Sequence, residues 1–385
     1  MKFFVCWVFG PCNKTTKNGQ FHVADAGSRQ AFDIPSLDGI RAIAFGIVYL
    51  SHTRLNGIIP GGLGVTIFFF LSGYLITTLL RRESETTGGI DLWRFYLRRT
   101  FRILPPMYAT IALTVLCVFC DLLHETISLH RLLPSLLFYT NYAKIAGVDP
   151  LPGLSALWSL AVEEHFYLLF PVAYVALLRV IPSRRHQALI LLALWFVVLA
   201  WRCALVLWFK VSLEPVPYRV SLATDTRIDS ILIGCILAIE LNPMLDRSVW
   251  SGRTWGLLLA VGSLATFVGS ILPSIPMRET IRYSIQGIGL LPCFYCAIRF
   301  PEWGCFRPLS WGWVRFIGVL SYSLYLVHGL LGHLLADWIR PVLAVEVCGF
   351  VASMALAWLF REAIEKPSMK LRDHLQARMI RPRAL

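Results

Sequence analysis

A chain of 385 residues that is 56% hydrophobic and only 15% charged falls well below the roughly 25% of charged residues usual in soluble domains, so water is excluded as its main solvent. A net charge of +13 would suit a nucleic-acid partner, but the Arg and Lys residues stand between apolar runs rather than on one soluble face, so no nucleic acid is expected. The apolar runs are continuous and rich in Leu, Ala, Val and Ile, whereas strands of a membrane barrel alternate in polarity over about ten residues. The expected fold is all-α, a polytopic transmembrane helix bundle of about ten spans.

In chain order, MKFFVCWVFGP is a brief apolar run without a small-residue cleavage pattern, and residues 1–33 read as a weakly ordered cytosolic tail. The spans follow at 37–55, 62–81, 103–121, 158–179, 188–209, 228–243, 254–272, 281–299, 314–336 and 341–361, most of them long enough for a hydrocarbon layer of about 30 Å. The most basic loop, 81–102, should face the cytosol, because Lys and Arg near span ends are retained inside. That choice places Arg184/Arg185, Arg247/Arg253, Arg299/Arg307/Arg315 and the tail from Lys366 to Arg383 on the same side. Both termini are then cytosolic, with a membrane domain at 34–370 and a basic tail at 371–385. The segment 131–147 is apolar but short, and reads as a dipping or outer-face piece. No repeat of two halves is visible, which lowers the weight of a transporter built from inverted repeats. The ten Cys, including Cys117/Cys120 and Cys293/Cys296, lie mainly in apolar runs and read as ordinary buried thiols.

Charged groups inside a span cost about 2.5 to 3.5 kcal/mol on insertion scales, so each is a functional candidate. In DGIRAIAFGIVYLSHT, Arg41 and His52 are separated by a rotation within about 20° of the same helix face and about 16 Å of rise. They should line one inward stripe, with Arg41 near the cytosolic end and His52 near the outer end.

An Arg, ten residues and a His following Leu-Asp-Gly resembles the signature of the membrane-bound acyltransferase-3 family, whose members include O-acyltransferases that modify bacterial surface glycans. The resemblance extends to GGLGVTIFFFLSGYLIT at 61–77, FYLRRTFRILPP at 95–106, LWSLAVEEHFYLLFP at 157–171, the Asp-x-Arg-x-Asp stretch at 225–229 and LSYSLYLVH at 320–328. It covers about 34–370, and departs at His165, where Gln is the expected residue. It implies an integral protein of the bacterial cytoplasmic membrane, with His52 as the base and Arg41 as its essential partner.

Acyl transfer to a hydroxyl needs a base and donors for a tetrahedral oxyanion. His52 suits the first role, since an imidazole of ordinary pKa, about 6.5, is largely neutral at pH 7. Arg98, Arg99 and Arg102 stand where a helix begins, with Arg98 and Arg102 on one face, and could grip the phosphates of a coenzyme A donor. Glu163 and Tyr167 face the same way near the outer end of the fourth span, with Glu164 beside them, so a carboxylate could orient His52 or the acceptor. Asp225 and Asp229 flank Arg227 at the start of the sixth span, and Ser321, Tyr325 and His328 point one way from the ninth. Asp225, Arg227, Asp229, Tyr167, Tyr325 and His328 are candidate acceptor-binding residues. The expected reaction moves an acyl group, most simply acetyl, from cytosolic acyl-CoA to a hydroxyl of an extracytoplasmic glycan, glycolipid or small acceptor, without a metal. A proton-coupled transporter, with the same ionisable groups as a relay, is the alternative.

Overall fold

The computed structural model describes residues 34–208, 218–272, 274–336 and 341–380. The expected tail at 1–33, the last five residues of the basic tail, and residues 209–217, 273 and 337–340 lie outside the described residues. Elements run in chain order as α1 (Pro35–Ser51), α2 (Gly61–Thr87), α3 (Leu92–Phe119), α4 (Leu129–Leu136), α5 (Thr140–Ile145), α6 (Leu157–Val180) and α7 (Arg184–Cys203). They continue as α8 (Tyr218–Leu222), α9 (Thr224–Glu240), α10 (Gly252–Ser270), α11 (Ile275–Thr280), α12 (Arg282–Arg299), α13 (Gly312–Ala336), α14 (Val342–Phe360) and α15 (Lys366–Ile380).

Each of the ten apolar runs read from the sequence is a helix of at least 17 residues, and the protein is an all-α, polytopic helical membrane protein. Among the described residues, six helical stretches are long and apolar enough to cross a bilayer: Gly61–Thr87, Leu92–Phe119, Leu157–Val180, Arg184–Trp208, Gly312–Ala336 and Val342–Ala377. Of the other four, α1 and α9 have only 17 residues, and α10 and α12 interrupt their apolar runs with Gly and polar residues. The segment 131–147 forms α4 and α5, of eight and six residues. At about 1.5 Å per residue neither approaches the thickness of a bilayer.

Local chemistry sets the helix ends. Pro35 opens α1, where its missing N–H is not needed. The Asp91 carboxylate accepts from the Arg94 N–H at 2.9 Å to cap α3, and Gly88, at φ 74°, ends α2 in the left-handed conformation.

Packing rests on small residues, as expected where lipid supplies no hydrophobic drive between helices. A Cβ at Gly73 would lie 2.0 Å from the Ile231 carbonyl oxygen, and one at Gly234 would lie 2.1 Å from that of Phe70, so α2 and α9 touch backbone to backbone. Helix α13 approaches α1 in the same way, since a Cβ at Gly318 would sit 1.8 Å from the Asp38 carbonyl oxygen. The large exposed side chains of α7, α10 and α14, such as Phe196, Leu257, Leu264 and Val351, form the lateral face expected against lipid. Cys117 and Cys296 are buried free thiols, whereas Cys293 is half-buried and Cys120, at the end of α3, is exposed; among the described residues no three His, Cys, Asp or Glu side chains gather to hold a metal ion.

Candidate active site

A cavity of about 750 Å³ lies between α1, α2, α3, α6 and α13. Its walls are largely apolar, with Val65, Phe68, Leu71 and Ile76 along α2, but five guanidinium groups, those of Arg41, Arg99, Arg102, Arg315 and Arg361, also line it. Asp38 links two of them, at 3.1 Å from Arg41 and 3.6 Å from Arg315. The tight α1–α13 crossing at Gly318 is what carries Asp38 to Arg315. Pro105 and Pro106 inside α3 remove the N–H groups that would bond the carbonyls of Phe101 and Arg102, so the helix ladder is interrupted beside the arginines.

Arg99 lies against aromatic faces, 5.3 Å from the Tyr167 ring centroid and 5.8 Å from that of Phe95. The Tyr167 hydroxyl donates to Glu163 at 2.9 Å, and the Ser72 and Tyr167 oxygens are 2.8 Å apart. With five arginines against the Asp38 and Glu163 carboxylates, positive charge dominates the lining.

The cavity also takes in Ser159 and Tyr325, whose hydroxyl oxygens are 2.7 Å apart. Beyond Tyr325 stands His328, with ring centroids 5.6 Å apart, and beyond that His52, 5.2 Å from His328 and edge-on to it. His52 is exposed at the end of α1. Its Nδ1 is 2.7 Å from the Val48 carbonyl oxygen. A carbonyl only accepts, so Nδ1 carries the proton and the lone pair sits on Nε2. His328 is fixed likewise, its Nδ1 donating to the Tyr325 carbonyl at 2.8 Å.

The structure thus gathers Arg41, Arg99, Arg102, Glu163, Tyr167 and Tyr325 around one space, and revises four expectations. Arg41 and His52 do not border one open passage: the cavity takes in Arg41, while Tyr325 and His328 stand between it and His52. Glu163 joins the arginine-lined cavity rather than His52, because its carboxylate is taken by Tyr167, and Glu164 lies off the cavity lining. Arg98 and Arg102 do not act as a pair. Arg98 lies outside the cavity, 3.4 Å from Glu83, and Arg99 takes its place.

The fourth revision concerns Asp225, Arg227 and Asp229, which are not three members of one open site. Asp225 pairs with Arg219 at 2.5 Å and accepts from the Trp201 indole at 2.7 Å. Asp229 pairs with the fully buried Arg202 at 2.9 Å and accepts from Ser284 at 2.9 Å. Arg227 stacks on Tyr283, its guanidinium carbon 3.5 Å from the ring centroid. His165, the departure from the family pattern, is bonded to Thr224 at 2.7 Å and does not line the cavity. Residue-by-residue reading missed Ser72, Ser159, Arg315 and Arg361. Arg315 carried a usable signal, being basic and on the same side as Arg41 by loop charge.

The family model described as an acyltransferase domain, acyltransferase-3, matches residues 34–362. The chain belongs to the acyltransferase-3 family. It is 33% identical over 311 residues, 77% of its length and 50% of the relative's, to a Staphylococcus aureus (strain COL) protein whose name assigns it provisionally as an O-acetyltransferase. A Bacillus subtilis protein named provisionally as a peptidoglycan O-acetyltransferase is 32% identical over 361 residues, 87% of this chain and 54% of that one. The peptidoglycan O-acetyltransferase OatA of Listeria monocytogenes is 29% identical over 324 residues, covering 77% and 49% of the two chains. The chain therefore spans about half the length of these curated relatives. No solved structure matches it. The acyltransferase-3 match takes in Arg41, His52, the arginines of α3 and Tyr325, so cavity and imidazole pair both lie inside the family domain.

Proposed function

We propose that this chain transfers an acyl group, most simply acetyl, from a cytosolic acyl-CoA to a hydroxyl of an extracytoplasmic glycan, peptidoglycan being the acceptor suggested by the names of its relatives. The observation that supports the reading is an arginine-lined cavity that ends at Tyr325, with His328 and then the exposed imidazole of His52, its Nε2 lone pair outward of the Val48 bond, in ring contact beyond it.

Arg99 and Arg102, with Arg315 and Arg361, suit the phosphates of coenzyme A, because guanidinium forks bind phosphate oxygens in pairs. The apolar walls of α2 suit the pantetheine arm. Its thioester then lies toward Ser159 and Tyr325, and it meets His52 once the side chains of Tyr325 and His328 turn aside. The orientation expected from the loop charges, with both termini in the cytosol of a bacterial cytoplasmic membrane, places the cavity mouth inside and His52 outside.

The acceptor hydroxyl gives its proton to His52 Nε2 as its oxygen bonds to the thioester carbonyl carbon. The oxyanion so formed collapses to the ester, the carbon–sulfur bond breaks, and the coenzyme A sulfur takes the proton back from the imidazolium. Arg41, paired with Asp38 at the cavity, adds positive charge on the donor side. Asp225, Arg227 and Asp229 hold helices together rather than contact the acceptor in this scheme.

The test is incubation of the purified protein with acetyl-labelled donor and cell-wall fragments. Label should appear in base-labile esters on the glycan with wild type and vanish with His52→Ala. Transport of a solute by proteoliposomes with no donor consumed would instead support the transporter.

A further inference from the structure

A second cavity, of about 310 Å³, lies between the end of α2, the end of α6 and the start of α7, and shares no lining residue with the first. Its charged wall is Arg81, Glu85 and Arg184, and its apolar wall includes Tyr174 and Leu178. Arg81 is only 3% exposed and is held on several sides: it donates to Glu85 at 2.8 Å, to both Asp246 oxygens at 2.8 and 2.6 Å, and to the carbonyls of Ala238 and Ile239 at 3.0 Å. It is therefore a fixed, charged floor.

Arg184 and Glu85 differ from it. Their side chains are 51% and 48% exposed and lie 3.9 Å apart, so they form a half-open pair of opposite charges at the rim. The Nη1 of Arg184 also donates to Asp246 at 2.9 Å, which leaves the Nε and Nη2 edge of the fork for another acceptor. The decisive group is Gln187. It is fully buried, its amide nitrogen donates to the Ile181 carbonyl at 2.7 Å, and its Oε1 has no hydrogen-bond partner. A buried acceptor left unpaired is costly, and the cavity it lines is where a donor would sit.

We propose that this pocket binds the headgroup of a membrane phospholipid bearing a primary ammonium next to its phosphate, the chemistry of phosphatidylethanolamine. The ammonium supplies N–H donors to Gln187 Oε1 and to the Glu85 carboxylate, and the phosphate meets the open edge of Arg184. A lipid is favoured over a soluble zwitterion because the pocket lies at helix ends, where headgroups lie. The neighbouring Val180 and Leu189 are also exposed on the lateral surface, where acyl tails would run. Of the pocket's two cations, Arg81 and Arg184, both are already paired with Asp246 behind the lining, and Glu85 adds an anion to it, which disfavours a purely anionic headgroup. A choline headgroup, lacking N–H, would leave Gln187 Oε1 unpaired.

The experiment is native mass spectrometry of the delipidated full chain offered equal amounts of phosphatidylethanolamine, phosphatidylcholine and phosphatidylglycerol. Wild type should retain the ethanolamine lipid several-fold over either competitor, Gln187→Leu should retain ethanolamine and choline lipids alike, and Glu85→Gln should weaken only the ethanolamine preference. Equal retention by wild type, or an undiminished preference in Glu85→Gln, overturns the proposal even if Gln187→Leu fails to fold. Displacement of the lipid by stoichiometric glycerophosphoethanolamine would overturn the assignment to a lipid.

Discussion

Two groups of arginines lie within the bundle, and they are treated differently. At the junction of α7, α9 and α12, Arg202 is completely buried and donates to the Thr280 and Thr226 carbonyls, to Asp229 and to Ser284, at 2.5 to 2.9 Å. In the large cavity, Arg99 and Arg102 make no ion pair among the described residues, and Arg99 rests on the rings of Tyr167 and Phe95. Both groups are equally foreign to lipid. What separates them is engagement: a guanidinium bonded on several sides to carbonyls and a carboxylate inside the protein joins helices, while one left on aromatic faces beside open space can bind an anion. The same rule separates Arg81 from Arg184 in the smaller cavity.

The sharpest way to break the comparison lies just past the cavity, at His52. General-base catalysis contributes about 10²- to 10⁴-fold, so His52→Ala should lower kcat by that range while leaving acyl-CoA binding intact. A loss of donor binding instead, measured by calorimetry in detergent, would move His52 from the chemistry to the donor site. The region around Arg202 should respond in stability. Asp229→Ala leaves Arg202 a buried, uncompensated charge, which costs about 3 to 5 kcal/mol. Thermal unfolding should fall sharply, and replacing Arg202 by Met in the same chain should recover much of the loss. If Asp229→Ala keeps full stability and loses activity, the pair belongs to the acceptor site after all.

The cavity arginines should respond in affinity. A hydrogen bond to a charged group contributes about 1.5 to 3 kcal/mol, so Arg99→Ala or Arg102→Ala should raise KM for acetyl-CoA about tenfold to a hundredfold with a smaller change in kcat. An acetyl-pantetheine donor, which lacks the adenosine phosphates, should be used equally by wild type and both variants. A matching penalty on the truncated donor would show that the arginines hold the cavity open rather than bind phosphate.

The long helices were legible because each is a continuous apolar run, and the Arg41 and His52 spacing was legible because one helix carries both. What could not be read is how faces meet across helices. The four-residue rule shows that Arg98 and Arg102 share a face, but not that the inward face of α3 is the one bearing Arg99 and Arg102. The four-residue spacing put Glu163 beside Tyr167, as the 2.9 Å hydrogen bond bears out, but it did not show the meeting of Tyr167 with Ser72 of α2 across the cavity. Asp229 looked like a partner for Arg227, but its partner is Arg202, 27 residues earlier on another helix. Arg315 reaches the cavity because α13 closes on α1, with Gly318 seated against Asp38, and Arg361 reaches it from the helical turn that follows α14.

The smallest expected effect is also the most specific. Arg98 neighbours Arg99 in the chain but sits outside the cavity, 40% exposed and 3.4 Å from Glu83. An exposed pair of this kind is worth about 0 to 1 kcal/mol, so Arg98→Ala should leave KM for acetyl-CoA within about twofold of wild type and move stability by no more than that pair. Arg99→Ala removes the same charge from the same turn of α3, so any effect of overall charge or membrane anchoring would appear in both variants. A KM that rises equally in the two would mean that the basic loop attracts the donor through its field alone. A KM that rises only for Arg99 requires contact within the cavity, because one residue of helix rotation is all that distinguishes the two sites.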